Sequence, residues 1–150
     1  MILIVDASAV INNFVEKYPE DRLITSPRVI NELGEKRDDI KKLEEQNPKQ
    51  VFLKIVKDKN IKLNDNVSLP DMELLALSLE FNAPIVTDDY GIQNLAKDLN
   101  IKFIPVAQEG IKKVLVWEYY CSGCRKKYNR TGVCDICGSK IKRRASRSVQ

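Results

Sequence analysis

Short apolar runs alternate with longer amphipathic stretches along the first hundred residues. Ile2-Leu-Ile-Val5 is continuous and rich in β-branched residues, which predicts a strand buried on both faces. Arg22–Thr25, Ala83–Thr87 and Ile101–Ile104 are runs of the same kind. Ser26-Pro27 supplies the cap and first turn of a helix whose apolar face is Val29, Ile30 and Leu33, and Gly34 ends it. Residues 35–46 are almost all polar around Ile40 and Leu43 and predict an exposed helix. Asn47-Pro48 begins another, with Asn47 as cap, Gln50 in capping-box register, and Val51, Phe52, Ile55 and Val56 on its buried side. Ile61–Leu63 predicts a short edge strand. Ser68-Leu-Pro-Asp71 opens the most apolar helix, with rows at Leu74, Leu77, Phe81 and at Met72, Leu75, Leu79, so this helix belongs deep in the fold. Ile92, Leu95, Ala96 and Leu99 mark the next helix. Strands alternating with helices predict an α/β fold with a mostly parallel sheet. Residues 106–113 read as a linker, and Val114-Leu-Val-Trp117 as the first strand of a second, smaller module.

All four cysteines lie in that module, as Cys121-Ser-Gly-Cys124 and Cys134-Asp-Ile-Cys137. Each pair is followed by a residue suited to a tight turn, Arg125 or Gly138. Two such knuckles can place four sulfurs around one tetrahedral ion at about 2.3 Å. Two disulfides are the alternative, and they need an oxidising compartment. The chain reaches Asp6 after four apolar residues with no basic leader, so a reducing, cytoplasmic setting is expected. A redox Cys-x-x-Cys would open a helix after a strand, and neither copy does. The spacing therefore points to a structural zinc site, although spacing alone fits iron as well.

Charge divides the chain in the same place. Residues 111–150 hold eleven Lys and Arg against Glu118 and Asp135, a formal +9, while the first 110 residues carry −5. A compact basic module attracts polyanions, nucleic acid first among them; the alternative is a solvated tail that confers solubility. Tyr119, Tyr120 and Tyr128 interleave with Arg125, Lys126, Lys127 and Arg130, and Lys140, Lys142, Arg143 and Arg144 follow. Aromatic planes can stack on bases while cations hold phosphates, or the rings can simply pack around the metal. No apolar run approaches the roughly 18 residues that span a bilayer. The chain has no histidine, which excludes histidine acid–base catalysis and leaves carboxylates, hydroxyls, lysines or metals.

Five acids, in four segments, recur at informative places. Asp6 ends the first strand, Asp88 and Asp89 end the strand at 83–87, Asp71 lies in the first turn of the apolar helix, and Glu32 sits beside an apolar helical face. Each has a plain reading: Asp6 as a helix cap, Asp71 as a dipole partner, Glu32 as a solvated side chain. In a parallel sheet, however, Asp6 and Asp89 emerge at one edge, where open α/β folds bind ligands. Clustered carboxylates call for a hard divalent cation such as Mg²⁺ or Mn²⁺.

The segments Ile-Leu-Ile-Val-Asp6-Ala-Ser8, Ser-Pro-Arg-Val-Ile-Asn-Glu32-Leu, Leu-Pro-Asp71-Met-Glu-Leu-Leu-Ala-Leu and Ile-Val-Thr87-Asp-Asp89-Tyr resemble those of the PIN-domain nucleases, in order, over about residues 1–105. With the four-cysteine ribbon and Asp-Asp-Tyr-Gly-Ile-Gln93-Asn94, the chain from Met1 to about Lys142 resembles the archaeal form of the Nin-one-binding endoribonucleases. The resemblance implies a PIN-like sheet flanked by helices at residues 1–105, a linker at 106–113, a zinc ribbon at 114–142 and a basic tail at 143–150. It implies Asp6, Glu32, Asp71 and Asp89 as Mg²⁺ or Mn²⁺ ligands, Ser8 and Thr87 as hydroxyls that orient them, and Asp88 as a possible further ligand. It also implies Zn²⁺ on the cysteines, precursor small-subunit ribosomal RNA as substrate, and hydrolysis that leaves a 5′-phosphate and a 3′-hydroxyl. The competing readings are a toxin-type PIN ribonuclease with another RNA target and a non-catalytic RNA-binding assembly factor.

Overall fold

The strand Ile2–Val5 (β1) pairs in parallel with Arg22–Thr25 (β2) on one side and with Ile85–Val86 (β4) on the other. Leu43–Glu45 (β3) extends the sheet beyond β2, and Phe103–Ile104 (β5) extends it beyond β4. The order is β3-β2-β1-β4-β5, every pair parallel. Among the described residues five α-helices accompany the sheet: α1 Ala7–Ile11, α2 Pro27–Leu33, α3 Gln50–Lys62, α4 Leu69–Phe81 and α5 Tyr90–Asp98. This computed structural model describes residues 1–34, 38–107, 109–111 and 113–149.

Both faces of the sheet are covered, as the continuous apolar runs require. Ile4, Ile24 and Ile85 point into a core shared with α3, α4 and α5. Leu3, Val5, Leu23 and Val86 point the other way, toward Val10 and Phe14. Helix α4 is buried from Glu73 through Ser78, which accounts for its two apolar rows. Glu73 is offset by a pair with Arg28 of α2, Nε to Oε1 at 2.9 Å. That pair holds α2 against α4.

Several expectations change on contact with tertiary structure. The exposed helix over 35–46 is replaced by a 3₁₀ turn at Asp38–Lys42 and then β3, with residues 35–37 outside the described set. Pairing with β2 and the Arg22–Glu44 bridge, 2.7 Å, outweigh local polarity. Helix α3 is capped at Lys49 rather than Asn47, and its exposed amide donates to Glu80 at 3.0 Å. The edge strand at 61–63 is the last turn of α3.

The second module is an antiparallel sheet of β6 Val114–Cys121, β7 Lys127–Tyr128, β8 Gly132–Val133 and β9 Lys140–Val149, in the order β7-β6-β9-β8. The basic tail expected at 143–150 is corrected through residue 149: Arg143 and Arg144 lie in β9, opposite Tyr119 and Glu118. Strand β6 is fastened to the first module. Val114 joins its core. The Trp117 amide donates to the Leu63 carbonyl at 3.1 Å, and Asn64 Nδ2 donates to the Trp117 carbonyl at 3.0 Å. Asn94 acts as a neighbouring strand would, accepting from the Leu115 amide at 2.7 Å and donating to its carbonyl at 2.9 Å. Gln93 bridges the Thr87 carbonyl, 2.9 Å, and the Ile111 amide, 3.1 Å. Among the described residues no helix is long and apolar enough to cross a membrane.

Replacing Asn94 with Leu leaves two backbone groups of Leu115 unpaired. The expected cost is about 1–3 kcal/mol, read as a lower denaturation midpoint and as faster proteolysis between the modules.

Candidate active site and cysteine centre

The strand order reverses between β1 and β4, and ligands of open α/β sheets bind beyond the strand ends at such a point. Val5 lies opposite Val86, so Asp6 and Thr87 leave the sheet side by side. Asp6 is only 5% exposed. Its Oδ1 accepts from Ser8 Oγ at 2.6 Å and from the Ala9 amide at 3.2 Å, and its Oδ2 accepts from Thr87 Oγ1. Burial raises its pKa above the usual carboxylate value, against the pull of the Ser8, Thr87 and Ala9 hydrogen bonds. Asp6 is therefore both the cap of α1 and an acid aimed into the crevice. The two readings of its sequence position are compatible.

A cavity of about 410 Å³ is lined by Asp6, Glu32, Asp71 and Asp89, with Ser8 and Ser68. Four separate elements deliver the acids. Asp6 follows β1, Glu32 comes from α2, Asp71 from the first turn of α4 behind the Ser68 cap, and Asp89 caps α5 by accepting from the Ile92 amide at 3.1 Å. Thr87 ties the set together, donating to Asp6 while its Oγ1 accepts from the Asp89 amide at 3.0 Å. Asp71 is pushed up to about 6 by burial first and then, against a Ser68 hydrogen bond, by repulsion from Asp89, Asp6 and Glu32. Those causes record the convergence directly. The donor set is all hard oxygen and suits a divalent cation that keeps several waters. It is more open than a thiolate cage. Among the described residues, the four cysteines are the group whose ligand atoms all lie within 4.8 Å of one another.

Asp88 turns away from this cavity. Its carboxylate accepts from the Val106 amide at 2.7 Å and the Ala107 amide at 3.0 Å, so it anchors the segment after β5. Its own amide donates to Ser8 Oγ at 3.4 Å. Gln93 and the Arg28–Glu73 pair were not among the expected site residues, yet both brace it. Gln93 carried a signal, as a polar residue beside the apolar positions Ile92, Leu95 and Ala96 of the helix.

The cysteine sulfurs lie close together without disulfides, Cys121 to Cys137 at 3.3 Å and Cys124 to Cys134 at 3.7 Å. A regular tetrahedron with bonds of about 2.3 Å has edges of about 3.8 Å. The positions after the two knuckles, Arg125 and Gly138, adopt left-handed φ of 65° and 76°, which turns backbone amides inward. The Gly123 amide donates to Cys121 at 3.3 Å and the Ile136 amide to Cys134 at 3.4 Å. The Ser139 side chain lowers the Cys137 thiol to about 6 and Tyr128 lowers that of Cys134 to about 7. These four residues could hold a metal ion.

The basic residues divide by what they already do. Lys126 and Arg130 flank the Tyr128 ring at 5.1 and 5.6 Å, and the Tyr128 hydroxyl donates to Asp135. Arg144 covers Tyr120 at 4.9 Å and pairs with Glu118. Tyr119 is buried. Cations of the ribbon thus already lie against the Tyr128 and Tyr120 rings. Lys127 and Lys142 flank Tyr120 in register across β7, β6 and β9, and with Arg125 and Lys140 they are exposed.

A parallel sheet of this order with acids at its reversal point fits the PIN-domain ribonuclease class. The family model for the PINc domain ribonucleases matches residues 65–116. VapBC2 from Rickettsia felis, solved bound to a DNA fragment from its promoter, shares the fold with a TM-score of 0.55 over 70% of this chain and 98% of that one, at 13% identity. The chain is 37% identical to Endoribonuclease Nob1 of Methanocaldococcus jannaschii, covering 98% of this chain and 79% of the relative. It is 39% identical to Ribonuclease VapC1 of Thermoplasma acidophilum, covering 95% and 78%. Further archaeal relatives carry the name Endoribonuclease Nob1. The chain belongs to the Nob1 family of endoribonucleases.

Because the folded protein holds the Asp71 proton more tightly than the unfolded chain does, the contribution of Asp71 to stability without a divalent cation is lost as pH rises from 3.8 through about 6. Carboxyl NMR of the protein without added Mg²⁺ or Mn²⁺ should find Asp71 titrating near 6. Asp89→Asn should move it down toward the usual range. An unchanged Asp71 titration in that variant would contradict the shared cavity.

Proposed function

We propose that this chain cuts precursor small-subunit ribosomal RNA to form its mature 3′ end. The observation that carries the reading is the meeting of Asp6, Glu32, Asp71 and Asp89 in one cavity of a chain whose relatives are named endoribonucleases. In this reading these four carboxylates hold Mg²⁺ or Mn²⁺, and Cys121, Cys124, Cys134 and Cys137 hold Zn²⁺. A divalent cation supplies activation of water and neutralisation of phosphate charge without histidine. The protein's part is positioning. Ser8 and Thr87 fix both oxygens of Asp6. Asp71, whose pKa burial and the neighbouring acids raise to about 6, would be held more fully ionised beside a cation. Asp89 is fixed by its own cap hydrogen bond.

The division of labour follows from charge. Residues 1–105 form the nuclease unit, residues 106–113 connect it, and the ribbon from Val114 supplies affinity and placement on the pre-ribosomal particle in the cytoplasm. The exposed Arg125, Lys127, Lys140 and Lys142 are the first candidates for phosphate contact, with Lys126, Tyr128, Arg130, Arg143 and Arg144 shaping the surface. The VapC1 relative favours one second reading, cleavage of a different RNA.

Purified protein incubated with a short RNA spanning the small-subunit 3′ end separates these readings. One cut at the mature end is expected, scattered cuts would support the second reading, and no cut would leave a binding factor. Asp6→Asn should lower the cleavage rate at least about 100-fold, the scale of losing a charge-stabilising group, with RNA affinity largely retained. Stripping zinc should unfold the ribbon and weaken RNA binding; an unchanged Kd after verified zinc loss would count against a role for the ribbon.

A further inference from the structure

A second cavity, of about 250 Å³, lies at the seam between the modules. Asp65, Tyr90, Gly91 and Asn94 form its nuclease side, and Trp117 and Arg143 its ribbon side. Its floor is built rather than incidental. Asn94 is 3% exposed and donates to Asp65 Oδ2 at 3.0 Å. The Arg143 guanidinium lies 3.8 Å from Asp65 Oδ1 and 4.0 Å from the centre of the Trp117 ring.

Gly91, in the wall of this cavity, lies against Asp89 of the acid cavity. A methyl group added there would sit 3.1 Å from Asp89 Oδ1, so the seam opens one residue away from the acids. Tyr90, next to Asp89 in the chain, is 52% exposed, a large amount of ring surface left to solvent beside an active site. Its hydroxyl donates to the Glu109 carbonyl at 3.5 Å.

We propose that this seam cavity binds a single nucleobase of the RNA substrate, unstacked from the strand and next to the bond that is cut. The proposal rests on the endoribonuclease reading of the acid cavity and deepens it. A phosphate does not suit the pocket, because Asp65 is negative and Arg143 is already paired with it. A flat, uncharged ring suits it: Tyr90 offers a half-exposed aromatic face, and Asp65 and Arg143, the latter stacked on Trp117, offer polar atoms to a base edge. Single-stranded RNA is read in this way, by bases splayed onto aromatic side chains with their edges hydrogen-bonded. Since each module supplies part of the pocket, choice of the cut site depends on the ribbon being docked.

The test uses the intact, zinc-loaded protein and a set of short RNAs spanning the small-subunit 3′ end, each lacking one base. Binding is measured without Mg²⁺ or Mn²⁺, so nothing is cut, and is followed by the fluorescence of Trp117, the single tryptophan. Loss of one base beside the scissile bond should weaken binding about 10-fold, the scale of one stacked base, while losses elsewhere change it little. Tyr90→Ala should erase that difference, and Tyr90→Phe, which keeps the ring, should preserve it. Equal binding of all the abasic RNAs, or a base dependence that survives Tyr90→Ala, would overturn the proposal. Adding Mg²⁺ or Mn²⁺ afterwards tests the other reading separately. Base-dependent binding without any cleavage would sink the nuclease assignment and leave the pocket, and accurate cleavage without base dependence would do the reverse.

Discussion

Four carboxylates facing one small cavity repel one another, and the fold must hold them there. The crossing from β1 to β4 does most of this. Asp6 and Thr87 stand side by side because Val5 and Val86 are in register, and the Thr87 hydroxyl bridges the Asp6 carboxylate and the Asp89 amide. Helix α4 brings Asp71 in behind the Ser68 cap, and the Arg28–Glu73 pair fixes α2, which carries Glu32. Burial and repulsion together raise Asp71 to about 6. That repulsion in the cation-free site would favour a bound divalent cation.

The ribbon is part of this arrangement. Gln93 accepts from Ile111 and donates to the carbonyl of Thr87, the residue that bridges Asp6 and Asp89. Asn94, the next residue, holds β6 as a strand neighbour would. Two amides in sequence thus connect the ribbon to the strand end that carries the acids. Each satisfies backbone groups that would otherwise be buried and unpaired, which makes the connection costly to break.

Much of this was legible in the residues. The apolar runs ending in Asp6 and Asp88-Asp89 fixed the parallel sheet, the crevice edge and the acids at it. The paired Cys-x-x-Cys spacing located the cysteine cluster that could hold a metal, and the two-row pattern of α4 its depth. Partner-dependent features were not legible. Residues 43–45 are polar by composition and become a strand only because β2 offers an edge, with Arg22 to pair with Glu44. Residues 143–149 read as a charged tail because nothing local reveals β6 as their partner. Asp88 and Asp89 are chemically identical neighbours. Only the backbone turn after Thr87 sends one into the cavity and the other to the amides of Val106 and Ala107.

The central claim is that these acids form one divalent-cation site. Anomalous diffraction from crystals grown with Mn²⁺ tests it most directly. The account predicts a Mn²⁺ peak within the cavity, ligated by Asp6 and at least one of Asp71 and Asp89. Mn²⁺ found only at surface carboxylates elsewhere, with this cavity filled by water alone, would contradict it.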